Sequence, residues 1–128
     1  MTTTDTTRTA VGRRFLEALG RRDYIALEAC LRPNATLRAI VPSGVREDDG
    51  APAVVARYRR WTEALDDYQV VDGAADELAD MIRIRYVVRG IDPEIGEATL
   101  FEQTAYAEVE DGAISAVRVA CSGDRPAA

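Results

Sequence analysis

Over residues 99–109, Phe101, Gln103, Ala105, Ala107 and Val109 alternate with Glu102, Thr104, Tyr106 and Glu108, which stands an amide on an otherwise apolar strand face. A buried amide without partners costs about 1–3 kcal/mol, so Gln103 must bond to a neighbouring side chain, to water or to a ligand. Tyr86, Tyr58 and Trp61 carry phenol or indole groups able to serve. The same phenols, placed at a pocket, would donate to a carbonyl and polarise it without proton transfer. A ligand contact and a purely internal network both satisfy Gln103, and both stay open at this point. Cys121 falls on the inward face of residues 114–121 with Val117 and Val119. Nothing nearby in sequence supplies the base or cation that a nucleophilic thiol needs, so it is expected to line a pocket rather than react. Arg46, Glu47, Asp48 and Asp49 precede a helix, where a carboxylate would serve either as a general base or simply as a solvated acid near a helix N-terminus.

What is missing narrows the chemistry further. All 16 basic residues are arginine, and histidine is absent. Schiff-base catalysis, a lysine-anchored pyridoxal cofactor and a P-loop lysine are therefore excluded, as are Ser-His or Cys-His pairs and imidazole metal sites. Cys30 and Cys121 are far apart and lack metal-ligand spacing; they are expected to be thiols in a reducing compartment. No metal and no organic cofactor is expected. A net charge of −6 disfavours binding to nucleic acid. Apolar runs are too short to span a membrane, and the N-terminus has no apolar signal-like stretch, which points to a cytoplasmic protein.

These side chains meet only if the elements carrying them share an enclosure. Residues 7–19 are predicted to be a helix, with Val11, Phe15, Ala18 and Leu19 at helical spacing and Gly20 as a left-handed cap. Asp23 caps a short second helix carrying Tyr24, Leu27 and Leu31, stopped by Pro33. Residues 35–41 read as a strand and 42–50 as a polar loop. Pro52 then opens a third helix, where Val54, Tyr58, Trp61 and Leu65 form one stripe. The remainder is β: a weak strand at 68–75, interrupted by Asp72 and Gly73, then strands at 81–89, 99–109 and 114–121. Residues 91–96 turn between two of them, and Glu110-Asp111-Gly112 is a tight hairpin turn. Residues 1–6 are expected to be disordered, residues 7–123 to form one domain, and residues 124–128 a frayed tail.

Three helices followed by meandering strands resembles the SnoaL-like and nuclear transport factor 2-like superfamily. Arg14-Phe15-Leu16-Glu17-Ala18-Leu19-Gly20-Arg21-Arg22-Asp23 is similar to its first helix and the turn into the second. Leu31-Arg32-Pro33-Asn34-Ala35-Thr36-Leu37 resembles its entry into the first strand, and Val109-Glu110-Asp111-Gly112-Ala113-Ile114 its last hairpin. The resemblance implies an α+β, cystatin-like fold, a cone-like curved antiparallel sheet wrapped around N-terminal helices, and commonly a homodimer through the outer sheet face. Its known chemistries can be tested position by position. The tyrosine and two aspartates of the ketosteroid isomerases fall here on Phe15, Ala39 and Ala105, none of which can do that work. The aspartate–histidine pair of the polyketide cyclases has no histidine to use, and no inward-facing pair of aspartates supports the epoxide-hydrolase constellation.

With the apolar faces turned inward, the expected binding residues are Phe15, Tyr58, Trp61, Tyr86, Gln103 and Cys121. Arg83, Arg85 and Arg89 turn outward and are expected to face Glu102 and Glu108 across the sheet, beside Thr104 and Tyr106. Two functions are compatible with this pattern. One is a small, largely apolar organic ligand bound in the cone, by an isomerase, cyclase or dehydratase if the protein is an enzyme. The other is a non-catalytic dimeric scaffold or binding module with a filled core.

Overall fold

The computed structural model describes residues 7–127. These form three helices and a seven-stranded sheet; residues 1–6, expected to be disordered, lie outside the described residues. Helix α1 (Arg8–Arg21) starts where the Thr7 side chain accepts from the Ala10 amide, and turns Val11, Phe15, Ala18 and Leu19 into the core. It runs through Gly20 and ends two residues later, in left-handed Arg22 at φ 51°. The cap forms on an arginine because its side chain is held elsewhere. Arg22 Nη1 donates to the carbonyls of Thr62 (3.1 Å) and Leu65 (2.8 Å), and the guanidinium stacks over Tyr68 at 4.6 Å.

Helix α2 (Tyr24–Ala29) is capped by Asp23, whose carboxylate accepts from the Ala26 amide. Pro33 does not stop it. Leu31 and Pro33 already belong to strand β1 (Leu31–Val41), and the pairing register breaks between Leu31 and Thr36, where a residue lacking an N–H costs no ladder bond. The expected loop at 42–50 is instead strand β2 (Gly44–Asp49), antiparallel to β1. Val45 is its one large apolar residue and faces outward, while its inward positions carry Arg46 and Asp48, so it shows no apolar-in alternation. Helix α3 (Ala51–Thr62) has Pro52 in its first turn and buries Val54 and Tyr58, with Trp61 half-buried. Leu65 lies past its end and packs on Gly90, where a Cβ would sit 2.9 Å from that of Leu65.

Strand β3 (Asp66–Leu78) is longer than expected; its irregular register at residues 66–72 absorbs the interruption around Asp72. Strands β4 (Met81–Ile91), β5 (Ala98–Glu110) and β6 (Ala113–Cys121) keep the predicted alternation. The β5–β6 turn places Asp111 at φ 51° and Gly112 at φ 77°, the positive pair that a tight hairpin requires. Arg125–Pro126, read as a frayed tail, form strand β7 against β5. The sheet order is β2-β1-β6-β5-β4-β3, with β1 and β6 parallel and the other neighbours antiparallel. The sheet curves without closing, and the three helices cover its concave side.

Candidate functional site

Register brings three of the expected residues into one row. Tyr86 on β4 lies opposite Gln103 on β5, and Gln103 lies opposite Cys121 on β6, all on the concave face. Tyr86 and Gln103 are each 1 % exposed. The Tyr86 hydroxyl donates to Gln103 Oε1. With that oxygen occupied, the amide hydrogens on Nε2 are what Gln103 offers to a neighbour.

Beside the row is a cleft of about 520 Å³, to which Trp61, Phe101, Gln103 and Cys121 contribute, with Leu65 and Val41. Three of the six expected binding residues therefore border open space. Tyr86 sits one bond behind them, through Gln103. Tyr58 and Phe15 lie in the core: their rings meet edge-on at 5.3 Å, and Tyr58 meets Trp61 in the same manner at 5.2 Å. The middle of the cone is lined by core side chains. Ile82, Ile84, Ala105 and Val119 are buried, with Ile82 and Ile84 directly beneath Gly12 of α1. The cleft occupies one end, between the β1–β2 hairpin, the end of α3, the β4–β5 turn and the segment after Cys121.

Burial is the main cause that pushes the Tyr58 and Tyr86 phenols well above their ordinary range. Both are neutral at physiological pH, so they act as hydrogen-bond donors and not as bases. The Tyr58 hydroxyl is buried without a partner of good geometry, although the Tyr86 hydroxyl lies within hydrogen-bonding reach of it. Of the acids before α3, Asp48 is held by Arg57 in a two-pronged pair, Nε–Oδ2 2.9 Å and Nη2–Oδ1 3.3 Å. Both side chains are 15 % exposed, because Asp48 lies opposite Leu37 on the inward face of the hairpin. Glu47 turns outward, 3.5 Å from Arg38. Neither carboxylate reaches the cleft. No group of histidine, cysteine or acidic residues suited to hold a metal ion occurs among the described residues.

The cleft's charged rim escaped the sequence reading, apart from Arg46. Arg46 lies opposite inward-facing Ala39; Arg60 comes from the last turn of α3, Asp92 from the β4–β5 turn, and Asp124 from beyond β6. They belong to four separate segments, and no periodicity links them. On the outer face Arg85 reaches Glu102 (3.4 Å) and Asp72 (3.3 Å), as an outward arginine should. Glu108, expected opposite the β4 arginines, faces Arg118 on β6 at 3.9 Å, and Arg83 pairs with Asp76 on β3.

Helices lodged in an unclosed, strongly curved sheet define the nuclear transport factor 2-like, or ketosteroid isomerase-like, class of α+β proteins. Within that class the chain belongs to the SnoaL-like domain family, whose sequence pattern matches residues 12–117. Among solved structures it resembles a protein of Xanthomonas campestris pv. campestris provisionally named a polyketide cyclase. They share 21 % identity over 88 % of each chain, with a TM-score of 0.71. It also resembles a Catenulispora acidiphila protein with a ketosteroid isomerase-like fold, solved with trimethylamine: 13 % identity over 88 % of this chain and 85 % of that one, TM-score 0.72. An epoxide hydrolase from M. tuberculosis shares 18 % identity over 90 % of this chain and 82 % of its own, TM-score 0.63. At these identities the likeness is one of fold. No curated protein matches the sequence.

Proposed function

We propose that the cleft binds a small, largely apolar organic molecule bearing a hydrogen-bond acceptor, which docks on the Gln103 amide. The observation that carries this reading is the pairing of Gln103 with Tyr86. A fully buried phenol occupies the amide oxygen, which leaves the amide hydrogens to be matched, and Gln103 borders a cleft that has Trp61 and Phe101 for apolar walls. If the protein is an enzyme, this arrangement suits an isomerase, cyclase or dehydratase that works by hydrogen bonding and shape; the names borne by its structural neighbours are compatible with that group. The contiguous apolar core beneath the helices favours a second reading, a non-catalytic binding module or scaffold.

Fluorescence titration with N-phenyl-1-naphthylamine, followed by competition with 1-tetralone and its carbonyl-free counterpart tetralin, tests the binding claim. Saturable uptake at micromolar concentration is expected, with the ketone displacing the dye at several-fold lower concentration. The ketone's advantage should vanish in the Gln103→Leu/Tyr86→Phe double variant. Absence of saturable uptake across such ligands would leave the scaffold reading in possession.

We also propose a homodimer through the outer sheet face. There Ile40 and Val45 are direct cross-strand neighbours and both are exposed, with Ala120 beside Ile40 on β6. A cytoplasmic location accords with two cysteines that remain free thiols. No described helix is long and apolar enough to cross a membrane.

A further inference from the structure

Resting on the reading of the cleft as a ligand site, we propose that its ligand is a small apolar carboxylic acid, whose carboxylate is held at the mouth by Arg46 and Arg60.

In a chain of net charge −6 an arginine has no shortage of acids to meet. Arg38, Arg57, Arg83, Arg85 and Arg118 each lie within 4 Å of a carboxylate. Arg46 and Arg60 do not: neither has an ion-pair partner among the described residues, yet both border the same cleft. Arg46 is also held in position. Its Nη2 donates to Ser43 Oγ at 2.7 Å and its Nη1 to the Val45 carbonyl at 3.2 Å, which orients the guanidinium while its remaining N–H groups stay available. The β1–β2 register carries it to the inward side, opposite Ala39. Arg60 precedes Trp61, so the second guanidinium and the largest apolar wall come from adjacent positions at the end of α3.

Asp92 and Asp124 share the rim and have to be weighed against this. Asp92 Oδ1 accepts from the Glu94 amide at 2.9 Å, which commits it to the β4–β5 turn. Asp124 lies on the exposed segment beyond Gly123. Arg60 is equally exposed, so the charge at the mouth that is both oriented and without an ion-pair partner is Arg46. An acid with its ring against Trp61 and Phe101 would set its carboxylate between the guanidiniums and a second acceptor on the Gln103 amide.

A matched set of naphthalenes separates the contributions. 1-Naphthylacetate, 1-naphthaleneethanol and 1-naphthaleneethylammonium share one ring system and differ in terminal charge. Each is used to displace N-phenyl-1-naphthylamine from the full chain. The acid is expected to compete about tenfold better than the alcohol at low salt, as charge-assisted bonds to two guanidiniums should give. Arg46→Gln and Arg60→Gln should each narrow that margin, and the double variant should abolish it, with unfolding temperatures showing that all three remain folded. Arg21→Gln, on α1, should leave it as it is. Equal competition by acid and alcohol, or a winning ammonium, would overturn the inference while leaving the cleft a binding site. Failure of the neutral dye itself to bind saturably would instead remove the reading on which the inference rests.

Discussion

Removing one member of a buried hydrogen-bonded pair costs more than removing both, because the survivor keeps its desolvation penalty. Tyr86 and Gln103 are such a pair. Tyr86→Phe and Gln103→Leu are each expected to destabilise the fold by about 1–3 kcal/mol, and the double variant by less than the sum of the two. Urea unfolding measures this; simple additivity would mean that the bond does not matter. Tyr58→Phe should be close to neutral, since that hydroxyl has no partner of good geometry to lose. The buried phenols also set an alkaline limit. Folding raises the ionisation of Tyr58, Tyr68 and Tyr86 above the usual tyrosine value of 10.0, chiefly by burial. The unfolded chain then releases these protons first. Their contribution is complete below about pH 10 and is lost as pH rises beyond it. Stability should therefore fall above pH 10, and less steeply in Tyr58→Phe; an unchanged slope would contradict the assignment.

Among the elements, α1, α3, β4, β5, β6 and the Asp111-Gly112 turn were legible because each buries one face, and burial imposes a period on sequence. Strand β2 was not, since its inward positions are Arg46 and Asp48, one bordering the cleft and the other paired with Arg57. The end of α1 was misplaced for a related reason. Gly20 has the right chemistry for a cap, but the helix end is decided by contacts that Arg22 makes with residues forty positions away in sequence. Arg22→Ala should therefore cost about 1.5–3 kcal/mol through lost bonds to the end of α3. Gly20→Ala, at a helical position where its Cβ would come no closer than 3.9 Å to Val70, should be tolerated or mildly stabilising. Thermal unfolding of the two variants distinguishes this cap from the one expected at Gly20.

At the scale of the molecule, the row Tyr86–Gln103–Cys121 was readable from strand parity alone, since a side-chain period of two fixes which residues share a face. The rim was not, because Arg46, Arg60, Asp92 and Asp124 converge only through the tertiary path of the chain. Phe15 and Tyr58 were placed on the inward faces of α1 and α3 by helical spacing but too near the opening, as periodicity says nothing about depth. The outer face makes its own prediction. If Ile40 and Val45 meet a second copy, sedimentation at tens of micromolar should show twice the 14.0 kDa chain mass, and Val45→Glu should return it to the monomer. A wild-type monomer would contradict the dimer.

The most direct measurement is a ¹⁵N-edited spectrum of the side-chain amides during titration with 1-tetralone. Asn34, Gln69 and Gln103 are the chain's only carboxamide side chains, and Trp61 its only indole, so the signals are few and Gln103→Leu identifies the one that matters. Saturable shifts of the Gln103 amide and the Trp61 indole, with Asn34 and Gln69 unmoved, are the expected result. Binding detected by dye displacement while the Gln103 signals stay still would place the ligand elsewhere and contradict the account.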